Sequence, residues 1–160
     1  MATEFKIEDV GAGLKRLLEA AFSDDSNVVL DMMSVRDVNE KGDLIVVPPA
    51  VRIYYEGDGA NPKRDNQKLD YDVAQNWSVF CGAVDLSSKA TEMCGAQKMV
   101  SKAKSALVGA RLKLDDGAKT QPITYVGVVP EQADESGAWY SVRIAVGAIA
   151  QFEGKNAGGI

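Results

Sequence analysis

Between residues 7 and 22 the apolar positions Ile7, Val10, Leu14, Leu17, Leu18 and Ala21 return at spacings of three and four. That period puts them on one face of a helix. Thr3 is the expected N-cap, with Glu4 and Glu8 near the positive end of the helix dipole. Gly11 and Gly13 interrupt the pattern, and each costs about 1 kcal/mol relative to alanine inside a helix. That cost is tolerable if a neighbour packs closely there. The polar run 23–27 ends the helix.

A strand is predicted over 28–38, and a second after Pro48-Pro49, where Val51, Ile53 and Tyr55 alternate with Ala50, Arg52 and Tyr54. The prolines cannot donate to a ladder, so pairing should begin just after them. Residues 56–70 are the most polar stretch and read as a long loop or contact arm, with Lys63, Arg64 and Lys68 as its candidate interface residues. Alternation resumes over 71–84, where Tyr71, Val73, Trp77, Val79, Cys81 and Ala83 share a face. The arm is therefore expected to join two neighbouring antiparallel strands. A second helix is expected from Ser87-Ser88 to Gly109, with Met93, Ala96, Val100, Ala103 and Leu107 as its apolar seam and Gly109 as its stop. Strands over 123–129 and 139–152 follow, joined by a polar hairpin, and 154–160 reads as a flexible tail.

The resulting order, α-β-β-β-α-β-β, predicts an α+β fold. One domain over 1–153 carries two amphipathic helices on one face of a mainly antiparallel mixed sheet. Two layers are the economical way to bury one stripe per helix and one face of the sheet.

Composition adds exclusions. The 160 residues are 46% hydrophobic and 26% charged, as in an ordinary folded chain. There is no histidine. A Ser-His-Asp or Cys-His nucleophile, an imidazole base and a histidine-ligated zinc are all impossible. Cys81 and Cys94 form no CxxC pair and read as reduced, structural thiols. The start lacks the basic-then-apolar layout of a signal peptide, and the apolar run 144–150 falls well short of the about 20 residues a membrane-spanning helix needs. No membrane association is expected.

The net charge of −5 is unevenly spread: −7 over 1–87, +5 over 88–113 and −3 over 114–160. An acidic chain thus carries one basic helix, on which Lys98 and Lys102 are four residues apart and share a face. That face is either a solvated exterior, a subunit interface against a neighbour's acidic surface, or a contact to nucleic-acid phosphates. No aromatic interleaving supports the last.

Other motifs carry little chemistry. Gly11-Ala12-Gly13 lacks the preceding strand and third glycine of a phosphate loop. Asp24-Asp25 and Asp115-Asp116-Gly117 lack the spacing of a calcium loop and read as turns. No residue is assigned a catalytic, metal-binding or cofactor-binding role, and no cofactor is expected.

Several ordered features resemble the tail terminator proteins of long-tailed phages, more narrowly the Mu-type family found in prophages. They are the helix Ile7-Glu8-Asp9-Val10 through Leu14-Lys15-Arg16-Leu17-Leu18, the entry Pro49-Ala50-Val51 into Arg52-Ile53-Tyr54-Tyr55-Glu56-Gly57, the strand Trp77-Ser78-Val79-Phe80-Cys81, the helix end Ala106-Leu107-Val108-Gly109, and the late strand 139–150. Gly11-Ala12-Gly13 and the lysine-rich second helix are not features the family demands. The resemblance implies a non-enzymatic virion protein, assembled in the host cytoplasm. It would form a homo-oligomeric ring, typically a hexamer, that caps the tail tube, stops its growth and offers a surface for joining the head. Its implied partners are further copies of itself, the tail tube protein and a head–tail connector, with DNA passing through the lumen without specific contact. An acidic domain suits that lumen, because like charge keeps DNA from adhering. Another connector or tail-completion protein, a small-ligand binding module and a nucleic-acid accessory protein are the competing classes.

Overall fold

The computed structural model describes residues 5–62, 70–84, 95–134 and 137–151. Helix α1 spans Ile7–Ala21, strand β1 Val29–Met32, β2 Ala50–Pro62, β3 Asp70–Ala83, helix α2 Ala96–Leu107, β4 Thr124–Asp134 and β5 Gly137–Gln151. The five strands form one sheet in the order β1-β2-β3-β5-β4. Only β1 runs parallel to its neighbour β2; the other three pairings are antiparallel. This is the α+β order that the hydrophobic pattern predicts.

Both helices lie on one side of the sheet. Val10, Leu14 and Leu18 of α1 and Met99, Ala103 and Leu107 of α2 are fully buried against Ile53, Val79, Val142 and Ile144. The two glycines of α1 are explained by close approach. A Cβ on Gly11 would meet Met32 Cε at 3.1 Å and Trp77 Cη2 at 3.2 Å, and one on Gly13 would meet Leu112 Cδ2 at 3.0 Å. The helix gives up propensity there and gains close approach to the sheet at Gly11 and to the segment between α2 and β4 at Gly13.

Four local expectations are corrected. The N-cap of α1 is Lys6, with no side-chain hydrogen bond, because the helix starts at Ile7; Thr3 lies outside the described residues. The strand expected over 28–38 stops at Met32. Ser34 Oγ accepts the Arg36 N–H, the Asp37 carboxylate accepts the Ser34 N–H, and this capping box turns 35–37 into a 3₁₀ turn. The polar stretch does not begin a loop at residue 56. Strand β2 continues to Pro62 and β3 begins at Asp70, because backbone pairing in a hairpin needs no apolar side chains. A bulge between Tyr55 and Gly57, with Gly57 at φ 113°, lets the ladder continue past the switch to polar residues. Helix α2 starts at Ala96 with the extended Gly95 as its N-cap, so it is not continuous with the expected residues 87–94, which lie outside the described residues. Its end is as expected: Gly109 follows Val108 at φ 86°, a conformation glycine adopts without strain.

Candidate interaction surfaces

The basic helix does not present its lysines as one patch. The Lys102 ammonium pairs with the Asp25 carboxylate beyond the end of α1 and lies 5.7 Å from the centre of the Phe22 ring. It therefore ties α2 to α1. Lys104 reaches the other way, its Nζ 4.7 Å from the centre of the Tyr125 ring on β4. Lys98 is exposed. It borders an open hollow of about 710 Å³ between the helices, floored by the small residues Ala20, Ala21, Ser101, Ser105 and Ala106. Sequence spacing places Lys98 and Lys102 on one face, but among the described residues only Lys102 has a charged partner, in the turn that follows α1. Lys63, Arg64 and Lys68 lie outside the described residues.

The face of the sheet away from the helices holds a second surface. Strand register fixes its rows: Ala50, Gly82, Trp139 and Gln132; then Arg52, Phe80, Ser141 and Val129; then Tyr54, Ser78, Arg143 and Gly127. Trp139 is 2% exposed and lies over Gly82, where any side chain would collide with the indole. Tyr54 and Phe80 meet edge to face with centres 6.4 Å apart.

Residues 33–45 fold back beside this face. The Arg52 guanidinium anchors them. Its Nε meets Asp37 Oδ2 at 3.2 Å, while Nη1 donates to the carbonyls of Val29 at 2.9 Å and Val51 at 3.0 Å. The two charged side chains are only 11% and 14% exposed, so the pair works in a partly dry setting. Between this segment and the sheet lies a groove of about 540 Å³. Met33, Val35, Val38, Leu44, Tyr54 and Phe80 supply its apolar lining, with Asp43 and Glu131 as its carboxylates. Glu131 Oε1 accepts the Ser141 hydroxyl at 2.7 Å, and Arg143 Nη2 lies 3.8 Å away. Asp43 Oδ2 accepts from Asn39 Nδ2 at 3.4 Å.

Sequence reasoning missed this groove. The signal was present in the apolar residues Met33, Val35, Val38 and Leu44, but it has no regular period. Val35 is 89% exposed and Val47 82%, both unusually open for valine.

Cys81 is buried on the helix side, as its strand alternation predicts, and Cys94 lies outside the described residues. Tyr55 is pushed up to about 12 by burial and by its hydrogen bond to the nearby Asp58 carboxylate. Asp31 is held below the usual carboxylate range, first by the Met32 N–H and then by Lys15, against an opposing effect of burial. Among the described residues no cluster of three or more metal-ligating His, Cys, Asp or Glu side chains occurs. No described helix is long and apolar enough to cross a membrane.

A two-layer α+β fold with open, chemically distinct surfaces on both layers is therefore what the geometry defines. No protein-family model and no curated protein matches the chain. Among solved structures, a chain in the virion of a native gene transfer agent particle shares the fold. It has 13% sequence identity and a TM-score of 0.55, and the match covers 94% of this chain and 100% of that one.

Proposed function

We propose that this protein is a structural subunit of a phage or phage-like virion, acting as a tail terminator that assembles into a ring of six copies. The observation that carries the reading is the fold match to a virion chain over nearly the whole of both chains, for at that coverage the topology as a unit is shared and not one supersecondary piece. The ordered sequence features that resemble Mu-type tail terminators narrow the reading to the end of the tail tube. In this role the subunit works by binding and not by turnover. It meets copies of itself, the tube protein below and a head–tail connector above, while DNA passes through an acidic lumen without specific contact. It assembles in the host cytoplasm and remains in the virion. Lys98, the exposed lysine of α2, is available to a neighbour.

Purified protein mixed with polymerising tail-tube subunits tests the reading. Electron microscopy should show a ring at one end of each tube, with tube growth arrested once the ring is seated. Tubes that elongate unchanged, with no ring on their ends, would sink it.

A further inference from the structure

Two open surfaces of this subunit have matching chemistry but lie on opposite sides of the sheet. The first is the groove described above, with apolar walls that include Val35, Tyr54 and Phe80 and with Asp43 at its rim. The second is the corner where β4 begins beside α2. There Tyr125 is 43% and Val126 59% exposed, and the Lys104 ammonium sits over the tyrosine ring. Lys104 has no carboxylate partner among the described residues. An exposed aromatic flanked by a valine and a cation is the type of knob that fills an apolar slot with an acidic rim.

The two surfaces cannot meet within one chain. Tyr125 is in register with Ile144, whose row faces the helices, whereas Phe80 is in register with Ser141 on the other face. We infer that the Tyr125–Val126–Lys104 corner of one copy seats in the Val35–Tyr54–Phe80 groove of the next, with Lys104 facing Asp43. This rests on the ring-forming reading and names the contact that builds the ring. A contact between two different patches is heterologous. It repeats from copy to copy and closes into a ring when the rotation allows.

The sheet edges are poor alternatives. On β1 the outward Met32 N–H is taken by the Asp31 carboxylate at 2.8 Å. Strand β4 carries two register shifts and Pro130. Both devices discourage strand addition. A groove of about 540 Å³ has room for a tyrosine and a valine side chain together.

Cysteine cross-linking of the full-length protein tests the contact. Tyr125→Cys and Val35→Cys proteins, mixed under mild oxidation, should give a covalent dimer that neither gives alone above the wild-type background. The control mixture of Arg16→Cys with Val35→Cys should give none. Separately, Lys104→Asp should weaken self-association about ten-fold, or ~1.4 kcal/mol, and Asp43→Lys in the same chain should restore it. Circular dichroism of each variant verifies the fold. Ring assembly that survives Lys104→Asp and Tyr125→Asp, or equal cross-linking in the control, overturns this contact while leaving the ring reading standing. A wild-type protein that forms no ring, either alone at the highest attainable concentration or on the ends of growing tubes, overturns both.

Discussion

Replacing Gly82 with alanine isolates the packing of the sheet face away from the helices. A Cβ at that position would lie 2.4 Å from two atoms of the Trp139 ring and 2.5 Å from a third. Ordinary carbon–carbon contact is about 3.5–4.0 Å, so the indole must retreat by roughly 1 Å. Trp139 is 2% exposed, so any retreat of the ring must displace the side chains that cover it. The strain should cost about 1–3 kcal/mol, the usual range for a methyl forced into a filled site. With a urea slope of about 1–3 kcal/mol per molar, the unfolding midpoint should fall by roughly 1 M. The thermal midpoint should drop by about 2–4 °C for each kcal/mol at this chain length. Urea titration followed by far-ultraviolet circular dichroism reads both proteins on the same scale. The cause is checked by the double variant Gly82→Ala/Trp139→Leu. Removing the indole should make the added methyl nearly neutral, giving a coupling above about 1 kcal/mol. If Gly82→Ala lies within about 0.5 kcal/mol of wild type, or if the two changes simply add, the packing argument is wrong.

Three further outcomes are expected. Arg52→Ala should cost about 3 kcal/mol in urea unfolding, because it strands the Asp37 carboxylate in a partly dry site and releases residues 33–45 from β1 and β2; a loss under 1 kcal/mol would show that the segment is held by something else. Lys102→Ala should lower stability by up to about 1 kcal/mol, since it removes the Asp25 pair and the cover over Phe22, while Lys98→Ala should leave it within about 0.5 kcal/mol. Equal effects at the two positions would contradict the placement of these lysines. Tyr55 sets an alkaline limit. Its folded pKa of about 12 stands above the ordinary 10.0, so its contribution to stability is complete below pH 10 and fades as pH rises from there through 12. Ultraviolet titration should show one tyrosine ionising late, and Tyr55→Phe should remove that component; a titration unchanged by the substitution would refute it.

The core elements were legible because their signals are periodic and local. Leu14, Leu18, Val79, Ala103 and Leu107 announce their burial by spacing alone, and each proves to be 0% exposed. The boundaries that failed are those where a local hydrogen bond or a backbone ladder outweighs side-chain pattern. The Ser34–Asp37 box cut a strand short, and pairing along β2 and β3 turned polar residues 56–62 into strand.

The candidate surfaces were less legible. The +5 segment was visible as composition, yet the fold divided it. Lys102 was drawn to Asp25, 77 residues earlier, and Lys104 to the ring of Tyr125, leaving Lys98 at the surface. The far-face groove joins residues near 35, 54, 80 and 131, positions with no common period.

Read alone, the chain determines which side of each element is apolar, how many layers are needed to hide those sides and, through the missing histidine, which chemistries are closed to it. These follow from solvation and from reactive groups that must be present, and both are properties of local sequence. Only the folded chain decides which charges are already spent on each other and which apolar residues remain uncovered. Those depend on distances between remote segments, and a distance between remote segments exists only after the sheet has set their order and register.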